Sequence, residues 1–537
     1  MLKRRVWKPI AGIIFFVLIL CVALFFYTLI KLDILLPQYL IIVAAVMALL
    51  VFLVGFLLYH GLHRKRSHAR RVRRIVGVIL AVIVAAVSLL GAYILSGVER
   101  TKQAITNRPA SEIKGYITVY VRSDDAAQEL ASMGDYRFGV MAKNDELSTR
   151  YALGEINTRT GKAVEAVSYP GISDAAAALM DGDVNALAVS ESYLGILSET
   201  ERFSGFTDQV RVIERIAVPN TATLDNVPAV NYETVEIQSE DEPEVTPEPT
   251  PEPTPAPIVR KTYGEDACLI FYLSGIDKWE GTESMQSHSD VNILVAVNTR
   301  TKQVLILNTP RDFFVTNPAL GGGDKLTHCA VQGVYNSIAA LENLYELHVN
   351  NYIKVNFEGF VRFINAIGGI DVDNPKAFQN ETGSVKFVEG MNHLDGGGAL
   401  VYARERHAFP DGDLARNRNQ VRVLNAIINK LKSSGATLLL NYNEILDTMT
   451  GTFETDLTSS QMSDLIKIAL GSMSEWDIKN YAASGVSGKR VTASGGSEPL
   501  FIIWPTQSTV DFAKELVRMI QNDEIITDEL IESAPRY

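Results

Sequence analysis

The chain has little cysteine and no surplus of positive charge. Three thiols in 537 residues are too few for a disulfide framework. Cys21 sits in an apolar run, where cysteine behaves as a small hydrophobe. Cys268 and Cys329 could pair only if their Cα atoms come close, which sequence alone does not fix. The strand-like run that begins at Cys268 favours a buried thiol instead. The formal net charge of −12 argues against nucleic acid as a partner, since phosphate backbones are held by basic surfaces. A clear signal-peptide cleavage site is also lacking, and no enzymatic cytoplasmic segment is present to receive a transmitted signal.

Long apolar runs are abundant near the N-terminus. Stretches at about 10–30, 39–59 and 75–95 are each long enough to cross a hydrocarbon core of about 30 Å as a helix. Three such runs in the first 100 residues read as membrane spans rather than core helices. Lys3, Arg4, Arg5 and Lys8 precede the first. Arg64, Lys65, Arg66, Arg70, Arg71, Arg73 and Arg74 lie between the second and third. The positive-inside rule places both basic groups in the cytoplasm. The expected location is therefore the cell membrane, multi-pass, with everything after about Val98 extracytoplasmic.

Residues 239–257 alternate proline with glutamate and threonine, a composition that resists packing and favours an extended spacer. The expected layout is a membrane anchor at 1–98, an accessory α/β domain at 112–236, a Pro/Glu/Thr-rich linker at 237–261, a main domain at 262–525 and a tail at 526–537. In 112–236 strand-like runs (Ile117–Arg122, Phe138–Ala142, Ala163–Tyr169, Val184–Ser190) alternate with helical ones, which predicts a small parallel sheet. That part resembles half of a periplasmic solute-binding fold; a packing or spacer module without a ligand is the alternative. The main domain opens with strands at Leu269–Leu273, Ile293–Asn298 and Val304–Asn308. Helical patterns follow at Leu326–Leu347, Phe357–Ile367 and Asn419–Leu431. The fold class is α/β.

Arginines and aspartates are concentrated between Asp277 and Gln420. Asp277 follows a strand-like run and Asp290 precedes the next. Carboxylates at strand ends can converge at a sheet rim, where ligands bind, or simply terminate a strand as turn residues. Arg311 follows Pro310 and precedes Asp312. Arg404 and Arg406 are separated by one residue, which on a strand would put both on one face. Arg416 and Gln420 are four apart, and on a helix they share a face. Clustered guanidiniums with paired carboxylates suit a pyrophosphate and a hard divalent cation.

The order of these runs, together with Asn351-Tyr352-Ile353-Lys354-Val355-Asn356-Phe357-Glu358-Gly359-Phe360, Ala366-Ile367-Gly368-Gly369-Ile370-Asp371-Val372 and Glu389-Gly390-Met391-Asn392-His393-Leu394-Asp395-Gly396, resembles the LytR-CpsA-Psr family over roughly Tyr263–Asn522. The resemblance implies an α/β/α domain with a central mixed sheet. It implies Mg²⁺ (or Mn²⁺) on Asp277 and Asp290. It also implies pyrophosphate contacts from Arg311, Arg404, Arg406, Arg416 and Gln420, with Lys325 as a further basic contact. The implied activity is a phosphotransferase that moves an anionic glycopolymer, such as teichoic acid or capsule, from an undecaprenyl-pyrophosphate carrier to peptidoglycan. The partners are then the polyprenyl-pyrophosphate-linked polymer, peptidoglycan and the cytoplasmic membrane. Pyrophosphatase action and a non-catalytic lipid- or solute-binding sensor are the alternatives.

Arg311, Arg404 and Arg406 carry the expected catalysis, with Asp312 or a metal-bound group a guess as proton acceptor. Val291, Thr327-His328 and Val421 depart from the family's pattern and bear on acceptor recognition. His328 and His407 read more readily as ordinary polar residues than as general bases. Leu326–Leu347 is either a wall of the lipid pocket or plain core.

Overall fold

A computed structural model describes residues 2–59, 67–106, 113–235, 268–276, 287–410, 412–433, 448, 452–472 and 476–535. The linker 237–261 and Asp277 lie outside the described residues. The chain divides into two compact units.

The first unit joins Met1–Arg108 to Ser434–Gly451 and Asp456–Trp476. Among its described residues, Trp7–Leu32, Pro37–Tyr59 and Arg71–Arg100 are helices long and apolar enough to cross a membrane. Side chains such as Ile13 and Phe52 point outward, as a hydrocarbon solvent allows. Small residues let these helices close on one another: a Cβ on Gly91 would stand 2.7 Å from the Phe25 ring.

The helix Ser459–Ser472 belongs to this unit. Lys102 Nζ donates to Ser463 Oγ at 3.0 Å and to the Leu32 carbonyl at 3.1 Å, and Lys467 pairs with Asp33 at 2.8 Å. The expectation of one domain throughout 262–525 is thereby corrected. Contacts with residues more than 350 positions away assign this helix, and no local pattern carries them.

Among its described residues the second unit contains two six-stranded sheets and four two-stranded ones. One of the six-stranded sheets takes its strands from Val210–Pro219, Ile113–Arg122, Ala186–Ser190, Arg137–Val140, Glu165–Ser168 and Glu233–Thr234, in that spatial order. Its inner strands are parallel, but Ile113–Arg122 runs antiparallel to both neighbours. The parallel-sheet expectation for 112–236 is therefore corrected to a mixed sheet. The difference lies in Ile113–Arg122 itself, antiparallel both to Ala186–Ser190 and to Val210–Pro219, a strand not foreseen.

The other sheet runs Phe453–Thr455, Asn351–Asn356, Cys268–Ile276, Ser289–Asn298, Gln303–Asn308, Asp477–Ala482, with parallel and antiparallel pairings. The period-two alternation of its strands builds two different faces. Ile270, Tyr272, Leu294, Ala296, Leu305 and Leu307 point into a core closed by Val334–Tyr345 and Gln507–Gln521. Leu273, Val291, Ile293, Ile353 and Val355 point the other way, toward Phe357–Ala366, Gly396–Arg404 and Asp413–Ser433. The result is an α/β/α sandwich.

Leu326–Leu347 is not one helix. Gly333, at φ 110°, breaks it where a side chain would be strained. Its apolar residues, among them Leu326, Ile338, Leu341 and Tyr345, sit in the core rather than in a lipid pocket. All three cysteines are free thiols, so Cys268 and Cys329 do not pair.

The 113–235 region shares a hydrophobic cluster with the turn at Ala330–Gln332 and the strand Gly496–Pro505 of the main domain. Val331 and Leu500 pack with Ile172, Leu179, Tyr193 and Phe203. Backbones meet beside it: Ile172 N–H donates to the Ser494 carbonyl at 3.2 Å and Ser173 N–H to the Gly495 carbonyl at 2.9 Å. A Cβ on Gly171 would lie 2.2 Å from Gly496 Cα, so only glycine admits this approach. A fragment starting at 262 would bare this apolar face. Leu500→Ala is expected to cost about 2–5 kcal/mol and to loosen 113–235 together with the main sheet. Thermal unfolding of the full chain, followed by hydrogen exchange, checks this; exchange in 113–235 that stays at wild-type levels would contradict the shared core.

Candidate active site

Asp290 stands near the start of the strand Ser289–Asn298, and Arg311 follows the strand Gln303–Asn308 through Thr309 and Pro310. Register places Ile276 opposite Ser289, the residue before Asp290. Arg311 Nη1 donates to Asp290 Oδ1 at 2.5 Å and Nη2 to Glu199 Oε1 at 3.2 Å, while Nε lies 3.5 Å from Asp312 Oδ1. One guanidinium is thus ringed by three carboxylates. Lys325, 2% exposed, shares two of them: its Nζ donates to Asp312 at 3.1 Å and to Glu199. A fork-shaped cation suits such multiple pairing, and burial makes each partner costly to remove.

Protonation follows from these contacts. Burial pushes the Asp290 carboxyl up, but Arg311 and Arg416 outweigh it and hold it below the usual range. For Asp312 burial is again outweighed, by Arg311 and Lys325. Burial also opposes ionisation of Glu199, yet His328, Lys325 and Arg311 hold it well below its usual value. His328 is raised, because Asp324 and Glu199 overcome its burial.

His328 is fully buried, with Nδ1 2.8 Å from Asp324 Oδ1 and 3.1 Å from Ser494 Oγ. It is a core group and no base for an incoming hydroxyl. His407 is exposed, 3.6 Å from Glu381. Asp312 is 2% exposed and engaged by two cations, which leaves it no access as a proton acceptor.

The second sheet face encloses a cavity of about 350 Å³. Phe357, Phe360, Phe363, Leu424, Ile427 and Phe453 make most of it apolar, while Asp290, Arg404, Arg416 and Gln420 supply its polar wall. Asp413–Ser433 is helical through Arg416 and Gln420, so the spacing of four does align them. Gln420 Nε2 donates to the Asp290 carbonyl at 3.2 Å, and its Oε1 accepts from Asn308 at 3.3 Å.

Arg404 lies with Cζ 4.3 Å from the Phe357 ring centroid, a cation–π contact. It ends a helix, Gly396–Arg404, begun by Asp395, whose side chain accepts from Gly398 N–H at 2.7 Å. Glu405 turns the chain out by accepting from the N–H groups of Ala408 and Glu381. The strand geometry expected for Arg404 and Arg406 is therefore wrong. Arg404 lines the cavity; Arg406 is exposed, against His407, and does not. Arg311 and Lys325 do not line the cavity either, and Arg311 meets its wall through Asp290.

Asp290 offers a hard anionic oxygen to a divalent cation, but Arg311 engages it here. Its expected co-ligand Asp277 lies outside the described residues. Among the described residues no group of three or more His, Cys, Asp or Glu could hold a metal ion. The fit of Mg²⁺ thus rests on the single carboxylate of Asp290. Glu199 was not foreseen: Ser198-Glu199-Thr200-Glu201 carries no motif, and only the docking of 113–235 brings it to Arg311.

Comparison with known proteins followed the same part of the chain. The LytR_cpsA_psr family model matches residues 235–494. A protein of Oceanobacillus iheyensis named polyisoprenyl-teichoic acid–peptidoglycan teichoic acid transferase TagU is 30% identical over 253 residues, 46% of this chain and 73% of that protein. A protein of the same name from Enterococcus faecalis is 35% identical over 199 residues, 37% of this chain and 63% of that one. This chain therefore spans somewhat less than two thirds of the Enterococcus protein. Among solved structures, B. subtilis TagV is 25% identical, with 49% of this chain and 99% of that chain covered and a TM-score of 0.40.

The charge cluster makes stability depend on pH from both sides. Carboxyls held low in the fold (Glu199, Asp290, Asp312) stabilise it above their unfolded values of about 4, and this is lost as pH falls through the folded values. His328, held high, stabilises below its unfolded value of about 6.5, and this is lost as pH rises through the folded value. His288, packed against His328 and held down to about 4 by burial and by that charge, stabilises above about 6.5, and this is lost as pH falls toward 4. The melting temperature should therefore peak near pH 6.5 and fall on either side. A melting profile flat from pH 3 to 9 would contradict this network.

Proposed function

We propose that this chain, which belongs to the LytR-CpsA-Psr family, is a membrane-anchored phosphotransferase. It moves an anionic glycopolymer from a polyprenyl-pyrophosphate carrier to peptidoglycan on the outer side of the cytoplasmic membrane. The observation that carries the reading is a single cavity with an apolar interior and two arginines, a glutamine and an aspartate on its polar wall. A prenyl pyrophosphate has the same two-part character. The names of the Oceanobacillus and Enterococcus relatives agree with it.

In this reading the phenylalanines and leucines of the cavity take the proximal isoprenes, whose transfer from water is favourable in proportion to buried area. Arg404 and Arg416 bind pyrophosphate oxygens with charge-assisted hydrogen bonds. Arg404 is held in place by the Phe357 ring, so its fork is oriented before the ligand arrives. Gln420 fixes the strand that carries Asp290. Arg311 orients the Asp290 carboxylate at the cavity wall and, with Lys325 beside it, is proposed to take a further pyrophosphate oxygen, while Asp312 braces both from behind. Arg406, outside the cavity, is proposed to meet phosphates of the polymer.

Asp277 and Asp290 would hold Mg²⁺ or Mn²⁺, which when bound neutralises charge on the phosphoryl oxygens. Transfer of this kind depends chiefly on positioning and charge stabilisation. The acceptor is a sugar hydroxyl of peptidoglycan.

Topology is open to a direct check. A reporter fused after Leu62 should be active in the cytoplasm and one fused after Thr101 outside it; a cytoplasmic signal from the second would remove the substrates from reach. For the chemistry, full-length protein in detergent is mixed with a polyprenyl-pyrophosphate-linked polymer, a peptidoglycan fragment and Mg²⁺. Polymer should appear on peptidoglycan, and Asp290→Ala or Arg404→Ala should each slow this by about 10²–10³-fold, the scale of losing one charge-stabilising group. Polymer phosphate released to water without attachment would point to a pyrophosphatase instead.

A further inference from the structure

Glu199 is the one member of the Arg311 cluster that comes from outside the segment matched by the family model, residues 235–494. Its carboxylate meets Arg311 at 3.2 Å, also pairs with Lys325, and lies 3.8 Å from His328 Nε2. The placement is built, not incidental. Tyr193 Oη accepts from Gln332 Nε2 at 2.9 Å, and a Cβ on Gly195 would stand 2.6 Å from His288 Cε1, so this turn lies directly against the site.

Arg311 and Lys325 together face three carboxylates: Asp290, Asp312 and Glu199. Two of these suffice to order the cations. Without Glu199, Arg311 keeps Asp290 and Asp312, Lys325 keeps Asp312, and His328 keeps Asp324 and Ser494 through Nδ1, while its Nε2 is left facing whatever takes the place of Glu199. Glu199 thus places negative charge where a phosphate would need positive charge, against Arg311, Lys325 and His328. Among the three, Asp290 is committed to the cavity wall and Asp312 is almost fully buried, whereas Glu199 is 16% exposed and lies in the turn after the helix Leu194–Leu197 of the 113–235 region.

We propose that Glu199 is an internal stand-in for a phosphate oxygen: it occupies Arg311 and Lys325 until a pyrophosphate displaces it, so that the 113–235 region sets the anion affinity of the site. The inference rests on the phosphate-binding reading above. Displacement is an exchange of anions on the same cations, with no covalent step. The region then acts as a threshold, passing ligands with enough negative charge and enough lipid contact to outcompete an intramolecular carboxylate.

The test is calorimetric titration of the full chain in detergent micelles, with inorganic pyrophosphate as the probe. Glu199→Gln keeps the shape and removes the charge. It should bind pyrophosphate about 10-fold more tightly than wild type, the scale of removing one like charge from a partly buried site. Glu199→Asp, with its carboxylate drawn back, should fall between the two. Hydrogen exchange on the wild-type chain gives a reading free of any folding defect: saturating pyrophosphate should speed exchange in 194–201.

Unchanged or weaker pyrophosphate binding by Glu199→Gln with a wild-type melting temperature would overturn the proposal and make Glu199 a bracing residue. So would unchanged or slower exchange in 194–201. Polymer transfer by wild type alongside either result would leave the transferase reading standing. Tighter pyrophosphate binding by Glu199→Gln without any transfer by wild type would support Glu199 as the competitor and remove the transferase reading.

Discussion

The site depends on one buried guanidinium. Arg311 is bound on one side to Asp290, which faces the cavity, and on the other to Asp312 and Glu199, which do not. A buried ion pair of this kind adds little net stability, because desolvation offsets attraction, but losing one partner strands the others at a cost of about 3–5 kcal/mol. The arrangement therefore acts as a coupling. Whatever binds Asp290 changes how Arg311 is shared among the remaining carboxylates, and whatever moves 113–235 does the same from the other side.

The sheet makes this possible by having two unlike faces. One face is packed solid by Tyr272, Leu294, Leu305 and Leu341. The other is left incompletely filled, with aromatic side chains of the helix Phe357–Ala366 around an open volume. Native interiors are close-packed, so a cavity of this size with charged groups at its edge is a departure that folding alone would not favour. The strand alternation that places Ile293 toward the cavity places Leu294 in the core, and a register slip of one residue would exchange the two faces.

Much of this was legible in sequence, and the parts that were not share a cause. The apolar runs, the Val- and Ile-rich strands and the helical spacing of Arg416 and Gln420 are local signals, and they appear as expected. Arg404 and Arg406 misled because a spacing of one residue implies a shared face only on a strand, and Asp395 with three glycines begins a helix there. The apolar content of Leu326–Leu347 said that it would be buried but not on which side of the sheet. Glu199 had no local signature; its role comes from the shared core that Leu500 and Val331 make with 113–235. The partition of Ser459–Ser472 with the apolar helices is likewise a long-range fact.

The central claim is that the cavity holds the prenyl chain with its pyrophosphate against the arginines. A photoactivatable prenyl pyrophosphate, crosslinked to the full chain in detergent and mapped by peptide mass spectrometry, tests it most directly. The account predicts labelling of Phe357–Phe363 and of Val423–Ile427, which together line the cavity, and loss of that label when Arg404 and Arg416 are both replaced by alanine. Labelling confined to the apolar helices Trp7–Leu32, Pro37–Tyr59 and Arg71–Arg100, unchanged by the arginine substitutions, would contradict it.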